Sequence, residues 1–164
     1  MNKFIQHNMK KKYFIGFCVL FSSFAISQSM KNNMLYNGKK EIAKVEAEGC
    51  GVFSSNCVYH ISSLDDKPLM SIALLESVNP LKKDADGKPS IELYLRFVFS
   101  DLDKAAEMDA TWLNLKKSIA QTIVKNNFIV NQQINEGAVN NFIKLYGERY
   151  SEREKSHKEI ILVK

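Results

Sequence analysis

The sequence contains none of the short motifs that mark the common catalytic sites. It has no Gly-x-Ser-x-Gly turn for a nucleophilic serine, no His-Glu-x-x-His zinc pair, no phosphate-binding loop and no dinucleotide-binding set of glycines. Asp84-Ala85-Asp86-Gly87 begins like a calcium loop, but Leu95 stands where such a loop needs a glutamate. We therefore expect no catalytic residue, cofactor or metal site, and we favour a protein that is not an enzyme.

The sequence also lacks an apolar run of the roughly 20 residues that a membrane-spanning helix needs. Its longest apolar stretch, Tyr13–Ile26, is shorter and follows a basic segment that contains Lys3 and the run Lys10–Lys12. No acidic residue precedes Glu41. A basic start followed by a short apolar run is the layout of a secretory signal peptide.

The end of this stretch supplies a cleavage site. Ala25 and Ser27 are small residues with the spacing that a signal peptidase accepts, so residues 1–27 are predicted to be a signal peptide removed between Ser27 and Gln28. The mature protein would then be periplasmic or secreted and would touch the membrane only during export. Two alternatives are an uncleaved membrane anchor and lipoprotein processing at Cys18, which the bulky Phe17 disfavours.

The excess of basic residues belongs mainly to this leader. The chain has 23 basic and 18 acidic residues, and four of the basic ones lie in residues 1–27. Removing these four leaves 19 against 18, a net charge of about +1. A protein that binds nucleic acid needs a clustered basic surface. We therefore expect no nucleic-acid partner.

The segment Ser90–Ser100 is the clearest secondary-structure signal in the chain. Large apolar residues alternate with mostly polar ones, and five of them share one side: Ile91, Leu93, Leu95, Phe97 and Phe99. Successive side chains of a strand point to opposite faces, so this pattern predicts a half-buried strand of an antiparallel sheet.

Shorter segments with similar patterns precede it. Asn37-Gly38 is typical of a tight hairpin turn, because both residues tolerate positive φ. Residues 28–33 are polar and predicted to be a loose arm. The segments predicted as strands are Met34–Tyr36, Glu41–Glu48, Cys57–Ile61 and Leu69–Leu75. Together with Ser90–Ser100 they predict an antiparallel meander of four to five strands.

The pattern changes to helical periodicity after this strand. Residues 101–108 are predicted to form a helical turn or two. A longer amphipathic helix is predicted from the spacing of Trp112, Leu115, Ile119 and Ile123. A second helix is expected between a capping Asn135 and a terminating Gly147.

The fold class is therefore α+β, with two C-terminal helices packed on one face of the sheet. The predicted organisation is a single domain over residues 28–147, followed by a charged C-terminal tail over residues 148–164. The mature chain is long enough for one domain that buries about two-thirds of its unfolded surface.

Cys50 and Cys57 are the only cysteines after the predicted cleavage site. Export places them in an oxidising compartment, so we expect a disulfide that closes the loop between two strands. The alternatives are two free thiols, a redox-active pair, for which the spacing is too wide, and a metal site, for which His60 is the only nearby histidine.

The function that these features favour is an exported module that binds a polypeptide, a glycan or a component of the cell envelope. The alternative is a small exported hydrolase whose catalytic residues meet only in the folded protein. His60 with a carboxylate in hydrogen-bond reach inside a pocket would favour the hydrolase. An open apolar patch beside the sheet edge would favour the binding module.

Overall fold

A computed structural model describes residues 28–51 and 57–162 of the chain. The predicted signal peptide, including Ser27, lies outside the described residues. Gln28, the predicted first residue of the mature protein, is also the first residue of the sheet.

The described residues form a seven-stranded antiparallel meander that curls into a half-barrel. Neighbours in the sheet are also neighbours in sequence, so each strand returns beside the one before it. The strands are β1 (Gln28–Lys31), β2 (Met34–Asn37), β3 (Lys40–Glu48), β4 (Val58–Ser62), β5 (Pro68–Lys83), β6 (Pro89–Phe99) and β7 (Lys104–Asp109). The α+β class and the meander are as predicted, but the strand count of four to five is wrong.

The first additional strand is β1, in the segment predicted to be a loose arm. β1 pairs with β2 from Gln28 opposite Asn37 to Lys31 opposite Met34. The two residues of the turn, Asn32 and Asn33, have φ of 50° and 59°. Positive φ at both central residues is the geometry of a type I′ hairpin, and asparagine tolerates it better than most residues.

The second additional strand is β7, where the sequence predicted helical turns. It pairs with β6 from Tyr94 opposite Asp109 to Phe99 opposite Lys104. Helix propensity separates ordinary residues by less than about 0.7 kcal/mol each, so pairing with a long neighbouring strand outweighs the local preference of an alanine-containing segment. The helical prediction for residues 101–108 is therefore wrong.

The predicted hairpin at Asn37-Gly38 is present, with its turn one residue further along. Asn37 pairs with Lys40 at the end of the ladder, so Gly38 and Lys39 are the turn residues. Gly38 has a φ of 65°, which glycine adopts without strain.

The helices follow the sheet in the chain. They are α1 (Leu115–Lys125), α2 (Glu136–Tyr146) and α3 (Arg149–Leu162), and a small hairpin of β8 (Ile129–Val130) and β9 (Gln133–Ile134) joins the first two. The predicted cap of α2 is confirmed, because the Asn135 side chain accepts a hydrogen bond from the Ala138 amide at 3.3 Å. The predicted C-terminal residue Gly147 has a φ of 58°.

The main core lies between the concave face of the sheet and the helices α1 and α2. Phe97 is fully buried, and its ring meets the rings of Phe128 and Phe142 edge-on at centroid distances of 6.2 and 5.4 Å. Ile119 of α1 is also fully buried and belongs to the same core. This agrees with the prediction that the β6 stripe packs against the two predicted helices.

The predicted stripe on β6 is buried only in its C-terminal half. Leu95, Phe97 and Phe99 are fully buried, whereas Ile91 is 65% exposed. β4 and β7 pair only with the parts of β5 and β6 near Phe97. The β5–β6 hairpin therefore extends beyond its neighbouring strands, and apolar residues toward its tip, such as Leu81 and Ile91, are exposed.

Helix α3 covers the opposite face of the sheet around β6 and β7. The charge-rich segment 148–164, predicted to be a tail, contains this helix. The rings of Tyr94 on β6 and Tyr150 on α3 stack at 4.3 Å with planes 8° apart. β6 is therefore covered on both faces, by an apolar core on one side and by an aromatic and polar contact on the other.

Truncation of Phe97 to Ala tests this architecture. We expect the free energy of unfolding to fall by about 3–5 kcal/mol, because the variant leaves a cavity between two aromatic rings. Ile91→Ala on the same strand is the control and should change stability by less than about 1 kcal/mol. Chemical denaturation measures both. If both variants lost the same free energy of unfolding, Phe97 would not lie in the main core.

Candidate binding groove

A groove surrounds the first turn of α1. Three adjoining pockets share Lys116 in their linings, and the largest, with a volume of about 500 Å³, lies between β1 and this turn. We call the three together the Lys116 groove. Its principal lining residues are Met30, Asn33, Tyr59, Trp112, Leu115 and Lys116.

The groove is built where the apolar stripe of α1 leaves the core. Ile119 and Ile123 at the C-terminal end of the stripe are buried. Leu115 is half-buried, and Trp112, in the turn before the helix, is 41% exposed. The same periodic pattern thus supplies core residues at one end and accessible apolar groups at the other.

A disulfide forms one wall of the groove. The sulfur atoms of Cys50 and Cys57 lie at bonding distance, with the Cα atoms 4.3 Å apart, in agreement with the predicted pairing. The bond joins the end of β3 to the start of β4, where Glu48 and Val58 are already paired. Cys50 and Cys57 line the same pocket as Trp112.

The charge of the groove is of one sign. Its described lining residues include Lys31, Lys116 and Lys117 but no aspartate or glutamate. None of these three lysines forms an ion pair within the described part of the chain. The first turn of α1 also lacks an acidic residue, so nothing offsets the positive end of the helix dipole.

The hydroxyl of Tyr59 remains protonated beside these lysines. Tyr59 lies on β4 and is almost fully buried, and this burial raises the pKa of its hydroxyl. The hydroxyl is therefore uncharged at neutral pH and adds no negative charge to the groove.

The densest set of ionisable groups lies elsewhere, between α3 and the sheet. Glu107 of β7 is fully buried, and its carboxylate accepts hydrogen bonds from the amides of Tyr150 and Ser151 at 2.8 and 3.1 Å. Arg96 donates to the same carboxylate at 2.9 Å. A buried carboxylate at a helix N-terminus satisfies free amides and compensates the helix dipole, so Glu107 fixes α3 to the sheet.

Two ionisable groups beneath α3 keep one protonation state at neutral pH, Glu92 as a carboxylate and Tyr150 as a neutral phenol. Hydrogen bonds from Lys82 and Arg153 lower the pKa of Glu92 to about 2. Burial and the hydrogen bond to Asp109 raise the pKa of Tyr150 to about 12. A general acid or base works best with a pKa near the working pH. Glu92 and Tyr150 are therefore better explained as contacts that hold α3 than as catalytic groups.

The candidates from the sequence are scattered. His60 Nε2 lies 3.4 Å from a Glu48 carboxylate oxygen on the surface of the sheet, and neither residue is among those lining the Lys116 groove.

The segment that begins like a calcium loop forms a turn. Asp84 Oδ1 accepts hydrogen bonds from the amides of Asp86 and Lys88 at 2.9 and 2.8 Å. Within residues 28–51 and 57–162, no group of three or more His, Cys, Asp and Glu side chains is placed to hold a metal ion.

Comparisons with known proteins identified no related protein. No family model, curated protein or solved structure matches the chain. Among the helices of the described residues, none is both long enough and apolar enough to cross a membrane.

Sequence reasoning assigned Trp112 to the core-facing stripe and gave no role to Lys116. The groove joins β1, the β1–β2 turn, the disulfide and α1, which are far apart in the sequence. One feature of the sequence could have pointed to the groove. Two lysines, and no acidic residue, stand in the first turn of the helix, where acidic residues are usually favoured.

The contacts of Glu92 predict that the folded protein becomes less stable in acid. Its pKa is lower in the folded protein than its ordinary value of 4.5, so its stabilising effect is present above that value and is lost as pH falls toward 2. Glu92→Gln should lower the free energy of unfolding at neutral pH by roughly 1–3 kcal/mol and flatten this acid dependence. Urea unfolding at several pH values measures both. The exposed Glu76→Gln is the control, and an acid dependence unchanged by Glu92→Gln would contradict the assignment.

The disulfide beside Trp112 predicts that reduction changes the fluorescence of this residue, the only tryptophan of the chain. Disulfides quench nearby indole fluorescence, so reduction should raise its emission and leave the emission of a Cys50→Ser/Cys57→Ser variant unchanged. Loss of the bond should also lower stability by about 2.5 kcal/mol and lower the melting temperature. Free thiols in protein isolated under non-reducing conditions, detected by mass spectrometry, would exclude the bond.

Proposed function

We propose that the protein is an exported, non-enzymatic module that binds a polypeptide, a glycan or another component of the cell envelope, and that the Lys116 groove is its binding site. The observation that carries this proposal is the composition of the groove. An accessible tryptophan, half-buried apolar residues and unpaired lysines meet in one concavity. Accessible aromatic groups that combine with a few polar groups are typical of recognition sites.

Export is supported by two independent features. The basic and apolar start of the chain has the layout of a signal peptide, and a disulfide is typical of oxidising compartments outside the cytosol. The paired cysteines also stabilise one wall of the groove, so folding after export and formation of the site are linked.

The second candidate function is a small exported hydrolase. The contact between His60 and Glu48 is the one observation in its favour, because a carboxylate can orient a histidine that acts as a base. Both side chains are largely exposed, at 49% and 80%. Water therefore reaches both side chains freely, and neither of them lines the Lys116 groove. The binding module is the better supported proposal.

Site-specific photo-crosslinking tests the proposal in the cell. The photoreactive residue p-benzoylphenylalanine replaces Trp112 in the groove or, as a control, Leu145, which is 77% exposed on α2. We expect a cross-linked adduct of higher mass from position 112 and none from position 145. Sensitivity of the adduct to protease or to glycosidase then identifies its class. Equal adduct yields from the two positions, or no adduct from position 112, would contradict the proposed site.

A further inference from the structure

We propose that the Lys116 groove binds an extended polypeptide segment in which acidic residues alternate with apolar ones. This inference rests on the proposed function and specifies the ligand of the same groove. Three properties of the described residues support it: the charge of the lining, the position of its apolar groups and the place of β1 at the edge of the sheet.

The charge of the groove favours an acidic ligand. Lys31, Lys116 and Lys117 are exposed, and no aspartate or glutamate stands beside them among the described residues that line the groove. The mature chain as a whole is nearly neutral, so this concentration of positive charge is local. Complementary charges speed association and exclude partners of the wrong sign.

The apolar groups lie between these lysines. Met30 and Leu115 are half-buried, and Trp112 presents part of its ring beside the disulfide. Covering such groups with an apolar side chain removes them from water and contributes favourable free energy to binding. A ligand that carries only charges would leave them uncovered, so the groove favours a segment with both kinds of side chain.

The edge of β1 favours a polypeptide over a glycan. Among the described strands β1 pairs only with β2, so the backbone groups on its other side have no strand partner. Gln28, Ser29 and Met30 of this edge line the 500 Å³ pocket together with the first turn of α1. An extended chain can add to such an edge through its own amides and carbonyls, which a glycan lacks. Alternate side chains of the added strand would point toward the groove.

The test measures binding of defined probes to the mature protein, residues 28–164. The main probe is a fluorescein-labelled synthetic peptide in which Glu alternates with Leu and Phe. The comparison probes are the same peptide with Lys in place of Glu, fluorescein-labelled alginate oligosaccharides as an acidic glycan, and phosphatidylglycerol vesicles as an acidic membrane surface. Fluorescence anisotropy follows the soluble probes, co-sedimentation follows the vesicles, and Trp112 emission reports whether the groove is occupied.

We expect saturable binding of the Glu peptide that weakens with salt and changes Trp112 emission. Lys116→Glu combined with Lys117→Glu should weaken it at least about tenfold, which corresponds to about 1.4 kcal/mol. Lys83→Glu combined with Lys88→Glu, near the tip of the β5–β6 hairpin, changes the net charge equally and should leave binding unchanged. Acidic residues in the first turn suit the helix dipole, so the double variant should fold normally, which thermal melting verifies.

The other outcomes overturn the inference in distinguishable ways. Equal binding of the Glu and Lys peptides at the groove would remove the acidic specificity but keep a polypeptide-binding function. Binding of alginate or of vesicles without binding of the Glu peptide would change the ligand class and keep the proposed site. Absence of binding by the Glu peptide overturns the inference, and if position 112 also yields no cross-link in the cell, the proposed function fails as well.

Discussion

The packing of Phe97 against Phe128 and Phe142 is the contact on which the other elements depend. Phe97 lies on β6, Phe128 follows α1, and Phe142 lies on α2. One aromatic cluster therefore sets the positions of both helices above the concave face. The place of α1 in turn decides where its first turn meets β1, and so where the Lys116 groove lies.

The curled sheet has a second face, and around β6 and β7 it is covered by hydrogen-bonded charges together with the stacked rings of Tyr94 and Tyr150. Glu107 is fully buried, and the helix that covers it supplies two amides while Arg96 supplies the opposite charge. Removing one member of such a set would leave a buried charge uncompensated, which destabilises far more than the net gain of forming it. The concentration of ionised side chains under α3 thus has a structural explanation.

The sequence predicted those elements whose pattern is local. The alternation around Phe97, the turn near Gly38 and the cap at Asn135 each depend on neighbouring residues, and each was found in the structure. β7 was missed because its identity comes from pairing with β6. Helix α3 was missed because it packs on a polar surface, so its buried side carries charges such as Arg153 rather than an apolar stripe. The groove combines segments distant in sequence: the cysteine pair and the helix that begins near Trp112 could be predicted, but their meeting with β1 could not.

We propose that this protein meets its partner at the surface formed by β1 and the start of α1. Hydrogen–deuterium exchange of the mature protein, measured by mass spectrometry alone and in the presence of a detergent-free extract of the cell envelope, maps that surface without assuming a ligand. Slower exchange should be confined to peptides that cover residues 28–33 and 112–117. Slower exchange at the tip of the β5–β6 hairpin or along α3, with none at the groove, would contradict the claim.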